Sequence, residues 1–293
     1  MKKILITGEN SYIGTSFEQY INENYPNDFE VDTIDMISGH WREKSFVGYD
    51  SVFHVAGIAH SDNGKIRKEK EELYYSVNTR LTVETAKKAK LDGVSQFIYM
   101  SSSIVYGDSA PIGKSKLITK DTPVSPTNCY GDSKVQAEKG LSLLEDEKFK
   151  VVILRPPMIY GKGSKGNYQL LAKVALKLPI FPYIDNQRSM LYIGNLCEFV
   201  RLMIENDEQG IFWPQNREYS NTSELVRMIA QSHGKGLVFL RDFDWMLKIL
   251  GQKISLINKA FGNLNYEQEM SNYKEEYCRY GLEESIKKTE NNE

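Results

Sequence analysis

Lys3-Ile4-Leu5-Ile6-Thr7-Gly8-Glu9-Asn10-Ser11-Tyr12-Ile13-Gly14 opens the chain. The apolar run Lys3 to Thr7 predicts a buried strand, Gly8 a tight turn, and Thr15 to Asn24 a helix. Strand, glycine turn and helix in that order begin a dinucleotide-binding unit, because the helix N-terminus offers unpaired N–H groups to a pyrophosphate. Ser11 stands where a middle glycine is usual, and its hydroxyl offers a donor there instead. A second apolar run, Phe29 to Asp35, ends in a carboxylate about twenty residues past the glycines, where an acid meets the adenosine ribose hydroxyls. With Asp35 in place and no arginine directly after it, NAD is favoured over NADP.

The pattern repeats. Asp50 to Gly57 reads as a short buried strand ending in small residues, and the segment before it is too short for a full helix. Ser61 to Glu72, with charges of both signs, reads as a solvated loop and helix start. Leu73 to Lys90 has helical periodicity. Asn78 sits inside it, either as an exposed filler or as a buried polar group with a partner. Phe97 to Met100 is an apolar strand that runs into Ser101-Ser102-Ser103. Tyr130 and Lys134 are four apart, so a helix from Tyr130 to Leu144 puts phenol and ammonium on one face. Hydroxyls at a strand end, opposite a Tyr/Lys pair, suit proton transfer to an alcohol or sugar oxygen.

Lys150 to Pro157 predicts another strand and Met158 to Gly163 a turn-rich loop. This alternation predicts an α/β fold, a Rossmann-type doubly wound parallel sheet. Beyond it the pattern loosens. A helix is expected over Tyr168 to Leu178, a loop over Pro179 to Gln187 and a short strand over Arg188 to Ile193. A helix over Asn195 to Asn206, a strand over Gly210 to Trp213, a capped helix from Thr222 to His233 and a polar tail from Lys287 to Glu293 complete the expectation. The dinucleotide domain is expected over 1–160 with a returning segment near 188–213. A smaller, mostly helical substrate domain takes 161–187 and 214–293. Asp244 to Phe261 interleaves apolar residues with lysines; core packing is preferred there over a membrane-surface or partner-binding helix pair.

Bulk numbers agree. The chain has 293 residues, 41% hydrophobic and 26% charged, with a net charge of -2. Such a balance offers no basic field to nucleic acid or anionic lipid. Its 3 cysteines have neither metal nor redox spacing, and no metal is expected. The N-terminal apolar run is too short for a signal peptide, and no stretch suggests an integral membrane segment, so a cytoplasmic protein is expected.

In this order and spacing, Thr7-Gly8…Gly14, Asp35, His54 to Gly57, Asn78, Ser101-Ser102…Val105-Tyr106-Gly107, Tyr130…Lys134, Arg155-Pro156…Tyr160-Gly161 and Arg188…Tyr192…Asn195 resemble the extended short-chain dehydrogenase/reductase family. Within it they resemble the NAD-dependent sugar-nucleotide epimerase/dehydratase group. The resemblance covers nearly the whole chain. It implies that Tyr130 is the acid/base, that Lys134 holds the nicotinamide ribose and lowers the phenol's pKa, that Ser102 bonds the reacting oxygen and that Asn78 supports them. It implies cofactor contacts from Gly8, Ser11, Tyr12, Ile13, Gly14, Asp35, Val55, Ala56, Gly57, Lys134 and Pro157, substrate contacts from Ser103, Asn167 and Arg188, and a homodimer. Arg188 would meet the substrate's diphosphate, which suits a planar charged fork. Bringing a phenol from ~10 to near neutrality takes roughly 4 kcal/mol, the scale of one cation about 4 Å away at an effective dielectric of ~20.

The group's 4,6-dehydratases carry Asp-Glu directly after the catalytic hydroxyl residue. Here those places are Ser103 and Ile104, which disfavours dehydration. The Arg155 to Asn167 run, with His54 to His60, looks like the UDP-4-keto-6-deoxy-N-acetylhexosamine 4-reductases, close to the UDP-hexose 4-epimerases. The resemblance therefore implies hydride transfer at C4 of a UDP-linked hexose or N-acetylhexosamine. It leans to 4-keto reduction in polysaccharide precursor synthesis, with a UDP-glucose or UDP-N-acetylglucosamine 4-epimerase as the alternative. A non-catalytic cofactor-sensing protein on the same fold is the rival from another class.

Overall fold

A computed structural model describes residues 1–59, 68–241 and 261–291. Its chain divides into two units. The first comprises Met1–Gly107, Pro123–Pro156 and Cys197–Trp213; the second comprises Asp108–Thr122, Pro157–Leu196 and Pro214–Glu293.

The first unit is built on one parallel six-stranded sheet. Its strands are β1 (Lys2–Thr7), β2 (Phe29–Ile34), β3 (Ser51–His54), β4 (Gln96–Met100), β6 (Lys150–Leu154) and β10 (Gly210–Phe212), in the order β10-β6-β4-β3-β1-β2. After β2 the chain crosses back over β1 to reach β3. The winding reverses there, so the carboxyl ends of β1 and β3 flank a crevice suited to a ligand. The crossover is short: between β2 and β3 only a single 3-10 turn, His40–Arg42, forms.

Strands buried on both faces need apolar residues at successive positions, and β3 is buried throughout. On one face Leu5, Val52, Phe97 and Val151 pack with Ala86 and Ala89 of α3 (Thr82–Leu91) and with Ala137 and Leu141 of α4 (Cys129–Ser142). On the other face Phe17 of α1 (Tyr12–Asn24) meets Phe53 edge-on, centroids 5.2 Å apart. Phe199 of α6 (Ile193–Glu205) meets Phe212 at 5.9 Å. Helices thus cover both faces, as a doubly wound sheet requires.

The helix expected over Leu73 to Lys90 is not uniform. Lys68–Tyr74 (α2) and α3 are joined through a π-helical stretch, Tyr75–Leu81, that carries Asn78. Wider turns of this kind recur at functional positions because they redirect a side chain within a continuous helix. Residues 60–67 lie outside the described residues, so only the helix start of the expected Ser61 to Glu72 segment is seen.

The second unit is assembled from short pairings. Met158–Tyr160 (β7) runs parallel to Met190–Tyr192 (β9), so the turn-rich loop expected at 158–163 begins as a strand. Within the loop expected at Pro179 to Gln187, Ile180–Pro182 (β8) pairs with Val238–Leu240 (β11). Leu117–Ile118 (β5) pairs with Asn265–Tyr266 (β12). Asn167–Lys177 (α5) and Thr222–Ser232 (α7) share a core with Tyr160, Phe181 and Met190. The expected polar tail, Lys287 to Glu293, begins within a helix, Leu282–Glu290, whose Ile286 is buried in that core. Of the weighed Asp244 to Phe261 stretch, 244–260 lies outside the described residues; the Phe261 ring is tilted against that of Phe181, centroids 5.7 Å apart, in the core.

Candidate active site

The turn after β1 shows why the sequence departs from a three-glycine pattern. Ser11 caps α1: its φ of -74° and ψ of 145° are ordinary extended backbone, and its Oγ accepts from Gly14 N at 3.1 Å. That position needs an acceptor more than it needs conformational freedom, so a serine serves. Gly8 and Gly14 are different. Gly8 has φ +110°, and a Cβ on it would stand 2.9 Å from Ala56 N. A Cβ on Gly14 would stand 2.7 Å from Ser11 Oγ and 3.1 Å from Ile6. The β1–α1 turn therefore lies directly against the segment after β3, with no room for a Cβ at Gly8 or Gly14.

Beside that turn is a cavity of about 500 Å³, lined among others by Gly8, Ser11, Asp35, Val55, Ala56 and Gly57. Its volume is ordinary for a small-molecule site. The Asp35 carboxylate accepts from Ile37 N and Ser38 N, both at 3.0 Å, and these bonds hold it below the usual carboxylate range. Bare backbone at the strand ends, a helix N-terminus and a charged acid after β2 could hold a dinucleotide, with Gly8 and Ser11 beside the cavity and Asp35 at the end of β2, while Gly14 packs beneath the turn against Ile6 and does not line the cavity. Tyr12 and Ile13 begin α1 but are not among the residues lining this cavity.

At the other end of the crevice, β4 stops and α4 starts. Asn128 caps α4 by accepting from Gly131 N at 2.9 Å. A Cβ on Gly131 would stand 2.9 Å from Ile104 O, so glycine lets the helix start press on the 3-10 turn Ser103–Tyr106. Three side chains on one face of α4 then grip the end of β4. Lys134 Nζ donates to Met100 O at 2.7 Å. Glu138 accepts from Ser101 Oγ at 2.5 Å. Ser102 hydrogen bonds with Tyr130. Burial lowers Lys134 to about 8, with the Glu138 charge opposing the shift.

Tyr130 sits beside Ser102. Desolvation pushes its phenol up to about 12, and the Ser102 hydrogen bond only partly offsets this. Lys134 spends its ammonium on the Met100 carbonyl and on the face of Tyr99, 4.7 Å from the ring centroid. The polypeptide alone thus leaves the phenol a weak acid.

Asn78 resolves to the buried, partnered option. Its Oδ1 accepts from Ile58 N at 2.9 Å, and its Nδ2 donates to Ile58 O and Ser133 Oγ, both at 3.1 Å. Ser133 Oγ in turn donates to Tyr130 O at 2.8 Å. A Cβ on Gly57 would stand 3.1 Å from Asn78 Oδ1 and 3.5 Å from Lys134 Nζ, so Gly57, Asn78 and Lys134 converge. Ser103 opens the 3-10 turn and donates its N–H to Pro156 O at 2.9 Å.

Pro157, Asn167 and Arg188 belong to the second unit. Pro157 is buried, and Asn167 is exposed as the first residue of α5. Arg188 is half-buried, donates from Nη1 to Gly262 O at 3.0 Å, and is lowered to about 10 by desolvation.

Sequence reading missed Glu138. Tyr130, Lys134 and Glu138 recur every four residues, which is the helical-face signal that could have found it. It also missed Trp41 and Arg42, which line the same cavity from the 3-10 turn after β2.

The fold and the site together define a parallel α/β dinucleotide-binding protein with a Ser/Tyr/Lys group at the carboxyl end of its sheet. The chain belongs to the NAD dependent epimerase/dehydratase family, whose model matches residues 4–213. It is 30% identical over 291 residues to the UDP-glucose 4-epimerase of Vibrio cholerae, covering 91% of this chain and 87% of that protein. It is 27% identical over 286 residues to the N-acetyl-alpha-D-glucosaminyl-diphospho-ditrans,octacis-undecaprenol 4-epimerase of Escherichia coli O157:H7, covering 86% and 82% respectively. Among solved structures, UDP-glucuronic acid 4-epimerase from Bacillus cereus in complex with NAD shares the fold with a TM-score of 0.70 and 18% identity, covering 98% of this chain and 96% of that one. The cofactor is NAD.

Proposed function

We propose that the protein epimerises C4 of a nucleotide-linked hexose or N-acetylhexosamine, with UDP as the carrier. The observation that carries this reading is the grouping of Ser102, Tyr130 and Lys134 at the end of β4 with Ser103 and Ile104 in the next two places. Ile104 has no proton to move, which argues against a 4,6-dehydratase. NAD, held by Gly8, Ser11 and Asp35, would supply the hydride acceptor for C4. Tyr130 removes the O4 proton as the C4 hydrogen leaves, and restores a proton to O4 when hydride returns to the opposite face. Ser102 holds O4, Lys134 holds the nicotinamide ribose, and Asn78 fixes the helix that carries Tyr130.

Net reduction of a 4-keto sugar, favoured by sequence motifs alone, is the second reading. The named relatives move the lead to epimerisation because both are 4-epimerases. The two separate in one assay. Purified protein, with its bound nucleotide identified, is offered UDP-glucose, UDP-N-acetylglucosamine and a UDP-4-keto-6-deoxy sugar. C4 isomers without net NADH change support epimerisation; stoichiometric NADH consumption on the keto sugar supports reduction. A Tyr130→Phe variant with full turnover sinks both, and with them the catalytic reading over cofactor sensing. The proposal is of a cytoplasmic homodimer.

A further inference from the structure

The cofactor cavity is lined, among others, by two arginines, Arg42 and Arg80, and two acids, Asp35 and Glu84. Asp35 closes β2, and Arg42 follows on the 3-10 turn His40–Arg42. The Arg42 guanidinium lies over the Trp41 ring, 4.6 Å from the centroid, and Trp41 is itself buried in the core beneath it. Its Nη2 is 2.7 Å from Glu84 Oε2 of α3, forty-two residues along the chain. Arg80 also lines the cavity, and its Nη2 is 2.6 Å from Glu72 Oε1. Both arginines of the wall are thus already committed to carboxylates, and Glu84 itself lines the cavity.

A 2′-phosphate on the adenosine ribose would bring a charge of about -1.5 to -2 into this end of the site. It would meet Asp35, whose carboxylate is fixed by Ile37 N and Ser38 N and so cannot turn away without losing two bonds. A means of neutralising it is Arg42, on the turn that follows β2, a planar donor fork well suited to phosphate. Using Arg42 would require displacing Glu84, which would then stand as a second uncompensated carboxylate. A 2′-hydroxyl makes neither demand.

We infer that Glu84 is a specificity-determining residue: by holding Arg42 against Trp41, it withholds from a 2′-phosphate the cation that would accept it, and so sets the preference for NAD over NADP. Asp35 repels the phosphate, while Glu84 prevents Arg42 from offsetting that repulsion. The inference rests on the cavity being the cofactor site.

The test is binding, independent of any sugar substrate. Dissociation constants for NAD+ and NADP+ are measured by calorimetry at fixed ionic strength, since surface charge effects fall with salt. The proteins are the wild type, Glu84→Gln and Glu84→Gln/Arg42→Gln. Both side chains are more than half exposed, 57% for Arg42 and 51% for Glu84, so the substitutions leave the core intact; thermal melts check this. The expected result is an NADP+/NAD+ ratio of dissociation constants that falls more than about threefold in Glu84→Gln, the scale of an exposed ion pair, and returns towards the wild-type value in the double variant. A ratio within threefold of wild type in Glu84→Gln overturns the inference. So does a fall that persists in the double variant, since the gain would not run through Arg42. Failure of the wild type to bind NAD+ overturns the cofactor-site reading, and the inference with it.

Discussion

Glu138 and Arg155 meet inside the dinucleotide unit, with Arg155 Nη2 2.6 Å from Glu138 Oε2 and Arg155 Nε 3.1 Å from Glu138 Oε1. The pair is two-pronged, almost wholly buried, and extended by Ser101 on one side and by Tyr106 Oη, 2.7 Å from Arg155 Nη1, on the other. Trp213 Nε1 donates to the same Tyr106 oxygen at 2.7 Å. One network thus ties α4, β4 and β6 just behind Lys134. Removing one partner of such a pair leaves a charge stranded in low dielectric. Glu138→Ala is expected to cost about 3–5 kcal/mol in urea unfolding, and Glu138→Met/Arg155→Met to recover most of it. Equal losses in the single and double variants would show that the charges are not coupled.

Lys134 offers a pH signature. Burial holds it at about 8, so the ammonium is lost as pH rises through that value. Glu138 is the opposing influence, keeping the proton on. Turnover that depends on the ammonium should decline above pH 8. In Glu138→Gln the decline should begin at lower pH, by about one unit on the scale of a single nearby charge. The readout is kcat against pH; an unmoved alkaline limb in Glu138→Gln would separate Glu138 from Lys134.

Gly131 is a steric prediction. An added Cβ at 2.9 Å from Ile104 O and 3.0 Å from Pro126 Cβ meets backbone and a rigid ring, so the helix start has to move. Tyr130 is the preceding residue and moves with it. Gly131→Ala should cost about 1–3 kcal/mol of stability and roughly a hundredfold in kcat, with the Kd for NAD+ changed far less. Comparable losses in kcat and NAD+ affinity would point to general disruption instead.

His54 governs an acid limb of stability. It is fully buried, with Nδ1 2.7 Å from Thr7 Oγ1 and Nε2 3.0 Å from Thr82 Oγ1. Desolvation, aided by the Lys134 charge, lowers it to about 3. Below the unfolded value near 6.5 the unfolded chain takes up a proton that the folded chain refuses. Stability is therefore lost as pH falls from about 6.5 towards 3, at up to about 1.4 kcal/mol per pH unit from this residue. Denaturant melts of wild type and His54→Gln between pH 7 and 4 should show a shallower slope in the variant; parallel slopes would contradict the assignment.

The sheet was legible because parallel strands buried on both faces announce themselves as apolar runs, and Gly8, Asp35 and the Ser102/Tyr130/Lys134 spacing lie at their ends. The second unit was harder to read for a physical reason. Met158–Tyr160 becomes a strand only because Met190–Tyr192 lies beside it, thirty residues on, and no local period encodes that pairing. Leu282–Glu290 hides likewise, since its buried Ser285, Ile286 and Thr289 read as a polar run. Ser11 misled in a smaller way: a glycine was expected where the backbone conformation does not call for one. The Arg42–Glu84 and Arg155–Glu138 pairs join distant residues and were invisible without coordinates.

The π-helical stretch Tyr75–Leu81 makes chain length itself an adjustable variable. A helix that holds a surplus residue can give it up. Deleting one residue ahead of Asn78 lets the stretch relax to α-helix and turns everything upstream by about 100° about the axis. Tyr74, whose ring lies 5.9 Å from that of Tyr130, would swing away, while Asn78 stayed clamped to Ile58. Single-residue insertions and deletions here would therefore act as a rotary adjustment on the wall of the site, a kind of variation that substitution alone cannot reach.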